Sequence, residues 1–265
     1  MQLFRQIFRK LHRLPRKENA MSTPTFVAAP GSQPQSTAIA PAWHTVGVLV
    51  LLASMVALGL HARGGDQLNQ GHHRLVGYLI TIAAEWLIVG FIVLGARWGG
   101  ASFRILAGNI APTGRTIFRD LGLALAFLLI VQVVLGIATA LVGHFIHSNP
   151  NAVLKNLMPH TAIEVAAYLL LALTAGICEE TTFRGYLQRQ FTAWTASAAA
   201  ALTLQGILFG AGHAYQGPGM MIVIAVYGCM FGSLALWRKS LRPSMMAHFL
   251  QDAVGGLVLA KFLSK

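Results

Sequence analysis

The stretch Leu169–Gly185, LLLALTAGICEETTFRG, ends an apolar run in two adjacent carboxylates with a guanidinium close behind. The whole chain has only 8 Asp and Glu, so this pairing calls for an explanation. An ionisable group at membrane depth costs about 2.5–3.5 kcal/mol at a helix centre on insertion scales, which makes function the first hypothesis. On a helix, Glu180 and Arg184 are four apart and share a face, with the acid N-terminal to the base in the better order. Glu179 points about 100° away. The spacing therefore predicts an internal Glu180–Arg184 ion pair and leaves Glu179 free for a cavity. The plainer reading makes all three interfacial anchors at the end of a span.

Further polar groups stand in the later apolar runs. The run LFGAG ends at His213, and HFLQD places His248 and Asp252 four apart, on one helix face. A carboxylate in that position can fix the tautomer of an imidazole. Two polar groups on one apolar face need a shared wet environment. Together these residues suit general-base catalysis, in which Glu179 takes a proton from water and histidine stabilises the oxyanion. They equally suit a metal site, with Glu179, His213 and His248 as ligands and water as the fourth. Residue types alone leave both open.

The elements that must position these groups are membrane helices. The 265 residues are 55% hydrophobic and 11% charged, with mean hydropathy +0.60. A soluble domain carries about 25% charged residues. Seven apolar runs, each near the roughly 20 residues that cross a bilayer, cover approximately 42–61, 75–96, 117–142, 161–180, 195–212, 220–237 and 244–262. The expected fold is an all-α polytopic bundle of seven transmembrane helices, or eight if one run is split. The domains are a tail and linker over 1–41 and a helical domain over 42–265, with the chemistry at about 160–262.

The net charge of +12 does not point to nucleic acid, because Lys and Arg lie mostly in short segments between apolar runs. Arg97, Arg104, Arg115 and Arg119 fill one connection, Arg184 and Arg189 another, and Arg238, Lys239 and Arg242 a third. The positive-inside rule puts these and the N-terminus in the cytoplasm. Residues 1–17, MQLFRQIFRKLHRLPRK, read as a basic amphipathic helix suited to an anionic membrane surface. Residues 22–41, rich in Pro, Ser, Thr and Gln, read as a flexible linker. Met21 is an alternative start. No fixed-period repeat supports a transporter of inverted halves. A proton path would have few candidates in the first three runs, chiefly Glu85 and Gln132.

Other hydrolase signatures are missing: there is no H-E-x-x-H helix and no G-x-S-x-G elbow. Cys178 and Cys229 read as small buried hydrophobes. His61, His72, His73, His144, His147 and His160 flank the spans as solvated interface residues.

Three motifs carry a resemblance. Glu179-Glu180-Thr181-Thr182-Phe183-Arg184 resembles the E-E-x-x-x-R motif of the CPBP family, the type II CAAX prenyl endopeptidases and their bacterial Abi-like relatives. Phe209-Gly210-Ala211-Gly212-His213 is similar to its F-x-x-x-H motif, and His248-Phe249-Leu250-Gln251-Asp252 to its H-x-x-x-N/D motif. Order and spacing agree over about the C-terminal hundred residues. The resemblance implies an intramembrane endopeptidase of a bacterial inner membrane, acting on a membrane-bound or lipidated peptide. It implies Glu179 as catalytic carboxylate, Glu180 and Arg184 as structural support, His213 as an aid to water activation, and His248 with Asp252 as the oxyanion pair. No cofactor is favoured; a zinc ion, if used, would take Glu179, His213 and His248.

One departure stands out. The last motif often ends in Asn, an amide donor, whereas Asp252 donates only when protonated. A topological condition also follows: Glu179 and His213 meet only if the fourth helix runs on through Arg189 and the fifth enters the membrane partway. The alternative function is a non-catalytic scaffold or immunity partner that keeps the polar cluster for folding.

Overall fold

Apart from one antiparallel bridge between Gly108 and Ser240, the regular elements among the described residues are helical. The structure is a computed structural model and describes residues 38–64, 71–101, 103–108, 113–146 and 157–263. The basic segment 1–17 and all but the end of the linker lie outside the described residues.

In chain order the elements are α1 (Ala42–Gly64), α2 (Gly71–Trp98), the short α3 (Phe103–Ala107), α4 (Gly114–Phe145) and α5 (Ala162–Glu179). A π-helical stretch, Glu180–Leu187, joins α5 to α6 (Gln188–Thr195). Then come α7 (Ala198–Gly212), a 3-10 turn (Ala214–Gln216), α8 (Pro218–Arg238) and α9 (Arg242–Leu263). Five helical segments are long and apolar enough to cross a membrane: Ala42–His61, Arg74–Trp98, Gly114–Phe145, Ala162–Thr195 and Pro218–Arg238. Two of the seven expected spans do not join them. The α7 helix has 15 residues, about 22 Å at 1.5 Å per residue, less than the ~30 Å hydrocarbon core. The α9 helix is long enough but carries His248, Gln251 and Asp252 at its centre.

The fourth run extends beyond its expected end. Its apolar composition stops at Glu180, yet the helix continues without a break to Thr195. The polar part is held by partners rather than by hydropathy. Tyr186 Oη lies 2.8 Å from His44 Nδ1 and 2.9 Å from Thr45 Oγ1. Gln190 accepts from Ile39 N–H at 2.9 Å and donates to the Ala40 carbonyl at 2.7 Å. Gln188 donates to the Gly232 carbonyl at 3.2 Å. The start of α1 is thereby docked on the π stretch and α6.

Local signals set the ends. Thr161 opens α5 with a capping box closed by Glu164. Glu164 also pairs with Arg74 of α2 at 3.2 Å, tying that cap to a second helix. Ser197 caps α7. Ala196 and Lys239, in the left-handed region, end α6 and α8.

Small residues set the helix spacing, as expected where lipid gives no hydrophobic drive between helices. A Cβ on Gly176 would stand 2.9 Å from the Met245 carbonyl oxygen, so α5 and α9 touch by backbone one turn before Glu180 and His248. Gly206 and Gly228 likewise let α7 and α8 meet: a Cβ on Gly228 would lie 3.0 Å from Gly206 Cα. Large apolar side chains such as Phe118, Leu129 and Leu87 point outward, as they would toward acyl chains. A cavity of about 440 Å³ between α4 and α8, lined by residues such as Leu123, Phe127, Met230 and Trp237, has no titratable group in its lining.

Candidate active site

Glu179 falls midway along the continuous helix Ala162–Thr195, and Glu180 begins its π stretch. Short π segments inside α-helices occur often at functional sites, because the wider turn re-aims side chains. Here the register changes immediately after Glu179. Gln188 N–H bonds to the Phe183 carbonyl, five residues back.

Glu180 is fully buried, and its Oε1 lies 2.9 Å from Arg184 Nη1, with both side chains sealed from solvent. The guanidinium also donates through Nη2 to the Gly228 carbonyl at 3.2 Å and stands 4.2 Å above the Phe209 ring centroid. A buried carboxylate is tolerable with such a cation beside it.

The same Glu180 Oε1 lies 3.0 Å from His248 Nδ1. Glu180, rather than Asp252, is therefore the carboxylate that orients the ring. The His248–Asp252 spacing does place them on one face, but their closest approach, Nε2 to Oδ2, is 3.6 Å. Glu179 Oε2 is also 3.6 Å from Nε2. Both distances exceed a direct hydrogen bond. The imidazole thus offers one nitrogen to Glu180 and turns the other toward the gap between Glu179 and Asp252. These two side chains are partly open, 22% and 35% exposed, whereas that of His248 is 4% exposed. Glu179 Oε2 is itself buried and has no hydrogen-bond partner among the described residues.

His213 stands apart from this group. It caps the C-terminal end of α7, and its Nδ1 lies 2.9 Å from the Phe209 carbonyl. Nδ1–H donates there, which leaves Nε2 as the acceptor nitrogen. Among the described residues it makes no hydrogen bond or ion pair to Glu179, His248 or Asp252. Its ring lies 5.0 Å from Phe209, which is 6.0 Å from His248, so Phe209 separates the two imidazoles. Of the two conditions for convergence, the first holds, since the fourth helix runs through Arg189. Tyr215, in the 3-10 turn, sits 5.9 Å from His213, and burial pushes its phenol up to about 12, so it adds no charge there.

Two residues of the site carry no motif. Glu85 of α2, a helix packed along α5 and the π stretch, is buried, with Oε2 unpartnered among the described residues. It is the second-run carboxylate noted above only for a proton path. Tyr227 of α8 is buried with an unpartnered hydroxyl, its ring 6.4 Å from His248. In an apolar run a lone Tyr reads as packing.

A metal site does not assemble from the three expected ligands. Among the described residues, no group of three or more His, Cys, Asp or Glu is placed to hold an ion.

This arrangement sets a buried, unpartnered carboxylate oxygen beside the imidazole nitrogen that Glu180 leaves free. Residues 161–254 match the family model described as type II CAAX prenyl endopeptidase Rce1-like, a range that includes all three motifs. No match was found among curated proteins or among solved structures. The match and the five helices long and apolar enough to cross a membrane together support an integral membrane protein that resembles CAAX-type proteases. Over residues 161–254 the chain is thus similar to the CPBP family of CAAX-type proteases.

Proposed function

We propose that the protein hydrolyses a peptide bond in a membrane-anchored, lipidated peptide by a glutamate-type mechanism. One observation supports this most: Glu179 Oε2 is buried and unpartnered, 3.6 Å from the nitrogen of His248 that Glu180 leaves free. A water seated beside this pair, rather than between them, can bond to both. Glu179 removes one proton from that water, and the oxygen attacks the scissile carbonyl. His213, with Phe209 between it and His248, assists through intervening water and not by direct contact. With both ring nitrogens carrying hydrogen, His248 donates from Nε2 to the developing oxyanion while Glu180 holds Nδ1. Asp252 faces the same atom, donating when protonated and balancing the imidazolium when ionised. Collapse breaks the C–N bond, and the proton held by Glu179 passes to the departing amine nitrogen.

A scaffold kept only for folding explains the cluster less well. Structural polar groups are normally satisfied, and an orphaned buried one costs about 1–3 kcal/mol. Glu179 Oε2, Glu85 Oε2 and the Tyr227 hydroxyl are all unpartnered among the described residues. That pattern suits a pocket made for something else to enter. The basic connections support a cytoplasmic N-terminus.

The test compares membrane peptides that accumulate with the wild-type protein and with Glu179→Gln. The expected result is an uncleaved lipidated peptide present only with the variant. Identical peptide profiles would contradict the proposal. Dialysis against a strong chelator, with metal analysis of the product, is expected to leave cleavage intact.

A further inference from the structure

The proposed chemistry lacks one donor. An oxyanion hole works through preorganised donors aimed at the developing charge. His248 supplies one through Nε2, but Asp252 stands where the family motif often has an amide, and an ionised carboxylate only accepts. Tyr227 has the missing group. Its hydroxyl is buried and finds no partner among the described residues, an unusual state for a phenol. Its ring packs 4.4 Å from Phe231 and 6.4 Å from His248, which fixes it on the His248 side of the pocket. His248 itself bonds to Glu180 and stands 3.6 Å from Glu179 and Asp252, so this face of α8 borders the site's charged groups. The adjacent Gly228 carbonyl accepts from Arg184 and Gln205, which holds this turn of α8 rigidly.

We infer that Tyr227 is a further catalytic residue, whose hydroxyl donates to the oxyanion in place of the amide that Asp252 lacks. This rests on the hydrolytic reading of the site. No proton is transferred by Tyr227; its O–H bond stays intact while the hydrogen bond shortens as charge develops.

The experiment measures kcat and KM on a lipidated peptide for wild type, Y227F, D252N and the double variant, with E179Q as control and melting curves for each. Loss of one oxyanion donor is expected to lower kcat by about 10²-fold in Y227F, with KM and melting temperature unchanged. Restoring an amide should recover about tenfold of that loss in Y227F/D252N. Wild-type kcat in Y227F, a loss confined to KM or to melting, or no recovery in the double variant would each overturn the inference. Equal cleavage by wild type and E179Q would instead remove the hydrolytic reading itself, so the two failures are distinguishable.

Discussion

Two buried acidic clusters in this molecule are built in opposite ways. Asp120 of α4 faces three arginines: Arg242 at 2.8 Å, Arg119 at 3.3 Å and Arg238 at 3.7 Å. Cations outnumber the carboxylate, and both of its oxygens are engaged. That cluster clamps α4 to the α8–α9 connection. In the other cluster, Glu180 takes Arg184 and His248, while Glu179 and Asp252 each stand 3.6 Å from the same imidazole. Carboxylates outnumber their close cations, and several polar atoms have no partner among the described residues. A carboxylate with both oxygens paired stabilises a fold; one with a buried unpartnered oxygen leaves that atom available to substrate and water.

The difference can be broken or sharpened by substitution. The largest effect on activity is expected for Glu179→Gln, a loss of at least about 10³-fold, within the general acid–base range. Its melting temperature should stay near wild type, since Oε2 has no partner to lose. Next comes Glu180→Gln, which removes both the Arg184 pair and the anchor of His248. Breaking a buried pair costs about 3–5 kcal/mol, so chemical denaturation and cleavage should fall together. His213→Ala should lower kcat by about 10²-fold with little change in melting, because its ring is half-buried and bonded only locally. Gly176→Ala should cost about 1–3 kcal/mol by overpacking against the Met245 carbonyl, read as a lower melting temperature. The smallest effect on catalysis should be Asp120→Asn: kcat is kept per folded molecule, while stability falls by about 1–3 kcal/mol as the arginines lose their counter-charge.

Much of this was legible in the chain, for identifiable reasons. The Glu180–Arg184 pair is a four-residue spacing, and local spacings survive even where the helix widens to π. The helix starts at Ala42, Ala162, Ala198 and Pro218 follow hydropathy and cap residues such as Thr161 and Ser197. What was not legible depends on contacts distant in sequence. The Glu180–His248 bond joins residues 68 apart, so no periodicity could reveal that Glu180, rather than Asp252, orients the ring. The extension to Thr195 rests on His44, Thr45 and the chain at Ile39–Ala40 binding Tyr186 and Gln190, more than a hundred residues away. Glu85 and Tyr227 lack any motif, and only packing brings them to the pocket.

The most direct measurement is the turnover of one purified lipidated peptide by reconstituted wild type and Glu179→Gln, at matched folded fractions. This account predicts product from the wild type and none above background from the variant, with the same peptide bound by both. Full turnover by the variant would contradict it, because the doublet's first carboxylate would then have no part in the chemistry.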